Sequence, residues 1–160
     1  MSLPDVTRHG TRGLRQIWVL FVLPVLAVIP VVVIAAPKSS GGSTGLFAVV
    51  VGLVAVIDFG AVFWIRNVGT GAILRAESNA EIRDAYLRRM ILACAFATTP
   101  SILAFAFAIV AGTTTAFFVV AAASLVLLVF AGPRAGDIAR LDDRMVAAGR
   151  PFRVAAALDV

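Results

Sequence analysis

One charged side chain lies inside an otherwise apolar stretch of this sequence. Residues 46–65, LFAVVVGLVAVIDFGAVFWI, contain Asp58 and no other charged group. As a helix, these twenty residues would span the ~30 Å hydrocarbon core of a bilayer. An aspartate at the centre of such a helix costs about 2.5–3.5 kcal/mol to insert, so we expect Asp58 to face neighbouring helices and not lipid. Intramembrane carboxylates carry protons or bind cations, which makes Asp58 the first residue to consider for chemistry.

Three further polar side chains lie at a similar depth. Asp58 is seven residues, or roughly 10 Å, from the end of its apolar stretch, Thr98 and Thr99 have a similar depth in a third stretch, and Ser124 in a fourth. These four residues predict an intramembrane polar layer. The layer is either a protonatable or ligand-binding site centred on Asp58, or a structural feature in which Asp58 hydrogen-bonds Thr98 or Thr99 and fixes the helix register. The structural interpretation is favoured because the apolar stretches contain no second charged residue.

The elements that must position these residues are apolar spans. The chain is 61% hydrophobic and only 14% charged, whereas soluble domains average ~45–50% apolar and ~25% charged residues. Four long apolar stretches cover residues 17–36, 46–65, 90–111 and 116–132. The first exceeds the ~7–15 apolar residues typical of a cleaved leader, so we expect it to be retained as a span.

Short connections define the predicted architecture. The turn between the third and fourth stretches is so short that the two helices must form an antiparallel hairpin. We therefore predict an all-α integral membrane protein with four transmembrane helices in two antiparallel hairpins. Residues 1–16 are expected to be an irregular tail, 17–132 the transmembrane domain with a polar segment at 66–89, and 133–160 a C-terminal helix and tail.

Two helices outside the spans have start signals in the sequence. Ser78 and Glu81 have the spacing of a capping box and predict a helix that continues into the third span. After Pro133, the side chains of Ile138, Leu141 and Met145 would share one face, which predicts an amphipathic C-terminal helix. This face would lie on the membrane or dock on a partner, and residues 152–160 are expected to form a tail.

The distribution of charge predicts an orientation. All thirteen arginines lie in residues 1–16, 66–89 and 133–160, and the other loops contain only Lys38. The positive-inside rule then places both termini and the 66–89 segment in the cytoplasm of a bacterial-type inner (plasma) membrane. Aromatic and arginine side chains near these ends are expected to contact lipid headgroups at the interface. They are Trp18, Trp64, Arg66, Tyr86, Arg88 and Arg89.

Small residues in the spans predict close helix packing. In the third span they recur every three or four residues and would share one face. They are Ala93, Ala97, Ser101, Ala104 and Ala108. Packing within the chain is the favoured interpretation, and Gly52 and Gly60 in the second span are interpreted in the same way.

Residue usage narrows the chemistry further. With one cysteine, Cys94, and one histidine, His9, the sequence predicts no disulfide, no metal centre and no cofactor. The net charge of +5 is explained by an anionic membrane surface, so no nucleic-acid partner is expected.

These observations predict a membrane protein that is not an enzyme, because no nucleophile–base pair accompanies the spans. We expect a small non-catalytic accessory or scaffold subunit of a larger membrane assembly. Its partners would be membrane lipids and other membrane subunits or further copies of itself. The alternative is a small oligomeric transporter, or a proton or cation pathway, that uses Asp58.

Overall fold

The structure, a computed structural model, describes residues 7–35, 44–111 and 114–158. Within these ranges the regular elements are all helices: α1 (Thr7–Ala35), α2 (Thr44–Asn67), α3 (Gly71–Arg75), α4 (Asn79–Ala111), α5 (Thr114–Ala131), α6 (Ala135–Ala147) and α7 (Val154–Ala157). Most of the predicted loop after the first span, and the first two residues of the turn before α5, lie outside the described residues.

Four of the helices are long and apolar enough to cross a membrane. They are α1, α2, α4 and α5, and they contain the four apolar stretches of the sequence. The all-helical class and the number of candidate spans are therefore confirmed. Many large apolar side chains on their outer faces are exposed, including Ile34 at 84% and Val110 at 83%, as expected for a protein embedded in a membrane.

Helix α4 begins where the capping box predicts. The Ser78 hydroxyl accepts a hydrogen bond from the Glu81 N–H at 3.2 Å, and the Glu81 carboxylate accepts one from the Glu77 N–H at 2.8 Å. From Asn79 the helix continues without a break through the third span, as predicted.

Two segments predicted to be irregular are helical instead. Helix α1 begins at Thr7 and not near residue 17, because extending an existing helix costs little per residue even where Gly10 and Gly13 occur. Helix α7 forms within the predicted C-terminal tail. Its Val154 and Ala157 side chains are buried, and this burial explains why the short segment is ordered against the rest of the protein.

Two apolar clusters define the directions of the four long helices. One cluster contains Leu14 and Val25 of α1, Val62 of α2, the first part of the α4 span, and the end of α5. The other contains residues from the opposite part of each helix: Val32, Val51, Ala104, Ala108, Phe117 and Ala121. Neighbours along the chain therefore run antiparallel, and the start of α1 lies at the same end of the bundle as the end of α5.

Helix α4 is the central helix, since it packs against α1, α2 and α5. The small side chains predicted to pack are almost fully buried on it, from 0% exposed at Ala97 to 4% at Ser101. The same interpretation is wrong for Gly52 and Gly60 of α2. A Cβ atom placed on either glycine would meet nothing within 4 Å, so both lie on an outer face of the bundle.

The C-terminal helices pack on the protein itself. Ile138, Leu141 and Met145 of α6 and Val154 of α7 belong to the same apolar cluster as the ends of α2 and α5. The Asp142 carboxylate accepts hydrogen bonds from the N–H groups of Val154, at 2.5 Å, and Ala155, at 3.3 Å, at the start of α7. The apolar face of α6 was predicted to lie on the membrane or on a partner. In the structure the side chains of Ile138, Leu141 and Met145 do neither, because they are buried within the protein itself.

A tryptophan on α1 is matched to a glycine at the end of α5. The Trp18 indole N–H donates a 2.7 Å hydrogen bond to the Leu128 carbonyl. A Cβ atom on Gly132 would lie 2.9 Å from the indole nitrogen, which is too close for any ordinary contact. Any side chain at position 132 would therefore have to displace the Trp18 indole from this contact.

We predict that Gly132→Ala destabilises the protein by about 1–3 kcal/mol, the usual cost of overpacking. Thermal unfolding in a mild detergent measures the change. The matched control is Gly136→Ala in α6, where a Cβ atom meets nothing within 4 Å. This control is expected to be neutral or to stabilise by up to about 1 kcal/mol through helix propensity. In a Trp18→Ala background the effect of Gly132→Ala should largely vanish; an undiminished effect would contradict the proposed contact.

Candidate functional site

The buried polar layer lies between the two apolar clusters. Asp58 is 4% exposed and lies between Val51 and Val62 on the buried face of α2. Ser124 is fully buried on α5, between residues of the same two clusters. Thr98 and Ser101 occupy the equivalent position on α4. All four side chains are thus buried in the part of the bundle between the two clusters.

The hydroxyl groups of α4 are satisfied by their own helix. The Thr98 hydroxyl donates to the carbonyls of Ala95, at 2.9 Å, or Cys94, at 3.2 Å. The Ser101 hydroxyl donates to the Thr98 carbonyl at 2.8 Å. Neither hydroxyl is bonded to Asp58, and the Thr99 hydroxyl donates to Ala95, so the predicted hydrogen bond between Asp58 and Thr98 or Thr99 is absent.

Two polar atoms of the layer have no partner among the described residues. They are Oδ2 of Asp58 and Oγ of Ser124, and both are fully buried. An unsatisfied buried polar atom typically costs about 1–3 kcal/mol. A buried carboxyl oxygen can bind a proton, a water molecule or a cation, and a buried hydroxyl can bind the last two, so these groups are the candidates for chemistry in the layer.

Thr99 does not belong to the layer. It is exposed, and its hydroxyl donates to the Ala95 carbonyl at 3.0 Å. Depth alone placed it beside Thr98, but successive residues of a helix point about 100° apart. Ser101, three residues after Thr98, shares the buried face and replaces Thr99 in the layer.

A second polar centre lies at the end of the bundle where the arginines collect, and we call it the arginine–aspartate cluster: Arg66, Arg89 and Asp137. Arg89 of α4 is 8% exposed. Its Nε donates to the Ile65 carbonyl at 3.1 Å, and its Nη2 donates to the Arg66 carbonyl. These are carbonyls at the C-terminal end of α2, which have no helical partner and carry partial negative charge, so a buried guanidinium is well matched to them.

Asp137 links this centre to α6. Its Oδ1 lies 3.5 Å from Arg89 Nη2, and its Oδ2 lies 3.3 Å from Arg66 Nη2. Asp137 is not among the site residues predicted from the sequence. Its place in the first turn of α6 was visible as a favourable helix-dipole position, but its partners are far away in the sequence.

The predicted interface residues divide into two groups. Trp64 and Arg88 are exposed, and Trp18 and Arg66 are half-buried. Tyr86 and Arg89 are turned into the bundle, where Tyr86 is only 3% exposed. The expectation that Tyr86 and Arg89 contact lipid headgroups is therefore wrong. Both side chains line an inner space together with Arg66 of α2, Ala131 of α5 and Asp137 of α6.

The interior around the arginine–aspartate cluster is tightly filled. The space lined by Arg66, Tyr86, Arg89, Met90, Ala93, Ala131 and Asp137 is about 10 Å³. A void of this size holds one water molecule at most. Arg144 of α6 adds a second attachment, with its Nη1 3.3 Å from the Thr70 hydroxyl and 3.4 Å from the Asn67 carbonyl.

We predict that Arg89→Met destabilises the protein by about 2–3 kcal/mol. The value lies below the ~3–5 kcal/mol typical for breaking a buried ion pair because Arg66 still faces Asp137. Thermal unfolding and limited proteolysis of the α6–α7 segment measure the effect. The neighbouring Arg88→Met removes the same charge from an exposed site, so it should change stability by less than ~0.5 kcal/mol. Equal effects of the two substitutions would show that net charge, and not the cluster, matters.

The molecule thus has two candidate centres, a polar layer with two unpartnered oxygens and an arginine–aspartate cluster that fastens the end of the bundle. Among the described residues, no three His, Cys, Asp or Glu side chains come together as a metal site would require. No protein-family model, curated protein or solved structure shows significant similarity to the chain.

Proposed function

We propose that the protein is a non-catalytic accessory or scaffold subunit of a larger membrane assembly. The observation that carries the proposal is the packing on the inner side of the arginine–aspartate cluster, where the space between Arg66, Tyr86, Arg89 and Ala131 is about 10 Å³. A transport pathway needs room for an ion or water to pass this point. An end of the bundle that is well packed and joined by ion pairs instead suits a rigid protein that keeps its conformation when partners bind.

The outer face of α2 supports this proposal. Gly52 and Gly60 have open space where a Cβ atom would be, and Val56 between them is 70% exposed. Glycine in a helix costs about 1 kcal/mol relative to alanine, and these two glycines make no compensating close contact within the chain. Small residues on a membrane helix allow a second helix to approach closely, so this face is suited to a partner helix.

The proposed setting is a bacterial-type inner membrane with both termini in the cytoplasm. The two bundle ends differ sharply in charge, since the described arginines lie in or beside the segments at the end formed by the start of α1 and the end of α2. The positive-inside rule assigns such an end to the cytoplasm.

We predict that the tagged protein, extracted from its own host in a mild detergent, has a native mass larger than its own and contains other subunits in a fixed ratio. Native mass spectrometry with identification of the co-purified chains measures both. Gly60→Leu should release the partner, because the added side chain fills the open face. Gly136→Leu, at another open position outside the spans, should retain it. A protein that elutes alone would overturn the proposal.

A second candidate function rests on Asp58. Oδ2 of Asp58 and Oγ of Ser124 are both buried without a partner among the described residues, which favours a site that takes up and releases a proton or small cation. In this alternative the closed cluster end would have to open during the cycle, and the protein would work as a small oligomer.

This alternative predicts a proton or cation flux in proteoliposomes that depends on Asp58. A pH-sensitive dye trapped in the vesicles, with an imposed membrane potential, measures the flux. Asp58→Asn keeps the volume of the side chain but removes its charge, so it should abolish the flux while subunit assembly stays intact. Thr99→Val, outside the layer, is the matched control. Absence of flux from the unaltered protein would exclude the alternative.

A further inference from the structure

A cleft between α2 and α5 combines an aromatic wall with a cationic rim. Its volume is about 360 Å³, and it opens beside the arginine–aspartate cluster. Phe59 and Phe63 of α2 and Phe130 of α5 contribute to the wall. These rings are 57%, 62% and 48% exposed, so the wall faces outward from the bundle and not into its core.

Three guanidinium groups line the rim of this cleft, those of Arg66, Arg134 and Arg140. The one acidic residue in the lining, Asp137, already faces both Arg66 and Arg89 at ion-pair distance. Arg134 and Arg140 have no ion-pair partner among the described residues, so the rim carries surplus positive charge.

Arg134 is held in place without its charge being neutralised. Its Nη2 donates a 3.0 Å hydrogen bond to the Val129 carbonyl, and its Cζ lies 4.7 Å from the centre of the Phe130 ring. The guanidinium is thus stacked at the boundary between the aromatic wall and the rim, with its remaining donors available. This arrangement fixes the distance between the cationic guanidinium of Arg134 and the apolar aromatic wall.

We propose that this cleft binds one anionic phospholipid, with the phosphate at Arg134 and Arg140 and an acyl chain against Phe59, Phe63 and Phe130. The charge of the rim calls for an anion, because the only carboxylate in the lining is already paired. The exposed aromatic wall calls for an apolar chain that continues from that anion. A phospholipid has both parts in this order, and it is present wherever the four apolar helices are embedded. The proposal does not depend on the scaffold function.

Saturable binding to the purified, delipidated protein in detergent tests the proposal. The probes are phosphatidylglycerol, phosphatidylcholine with the same acyl chains, and inorganic phosphate, each followed by thermal unfolding and native mass spectrometry. Phosphatidylglycerol should raise the unfolding temperature and remain bound as a single molecule. Phosphatidylcholine and inorganic phosphate at equal concentration should do neither.

The double variant Arg134→Gln, Arg140→Gln should bind phosphatidylglycerol roughly 10- to 30-fold more weakly, given ~1 kcal/mol for each arginine near an anionic lipid. The control Arg83→Gln, Arg150→Gln removes the same charge from residues outside the cleft and should bind normally. Equal loss in both double variants would mean diffuse surface attraction and would overturn the proposal. Stabilisation by inorganic phosphate alone, or equal binding of both lipids, would also overturn it. The proposal would also be overturned if a co-purified protein helix occupied the cleft and only the Arg134→Gln, Arg140→Gln variant released it.

Discussion

The guanidinium of Arg89 joins three parts of the protein that are distant in the sequence. It projects from α4, donates to the terminal carbonyls of α2, and faces Asp137 of α6. The end of α2 would otherwise leave backbone acceptors unpaired beside an apolar core, which is costly. Because one side chain satisfies those acceptors and also contacts α6, the packing of α2 on α4 and the docking of the C-terminal helices depend on the same group. The cluster thereby fixes one end of the bundle. The α2–α5 cleft borders this end, and the polar layer lies further along the same helices.

The two centres differ in how completely their polar groups are paired. The arginine–aspartate cluster is joined by hydrogen bonds and ion pairs, and the space on its inner side is only about 10 Å³, so it resists change. The polar layer contains two buried oxygens with no partner, which is an arrangement that proteins rarely retain without a reason. The polar groups of the first centre are paired, whereas the second carries an uncompensated cost. The cluster therefore holds the end of the bundle together, and the role of Asp58, further along the helices, is a separate one.

Local patterns predicted the structure better than long-range ones. The four spans follow from length and hydropathy, and the start of α4 follows from Ser78 and Glu81, which are three residues apart. Asp58 was expected to avoid lipid on energetic grounds, and it is buried. Thr99 was misplaced because depth along a helix was counted without its direction around the axis. Gly52 and Gly60 were misplaced because small residues favour close approach on either side of a helix, and the sequence does not say which side is inward. The contact from Arg89 to Asp137 spans 48 positions, and no local pattern indicates it.

The hydrogen bond from Trp18 to Leu128 has a consequence for biogenesis. The two residues are 110 positions apart, and α1 packs against α4 and α5. At about 5–20 residues per second, the ribosome needs roughly 5–20 s to make the chain between them. For most of that interval α1 lacks both of these neighbours, and its packing is completed only when α5 has been made. Helix α1 is made before α4 and α5 but completes its packing only after both, and truncation before α5 would leave the Trp18 indole without its acceptor.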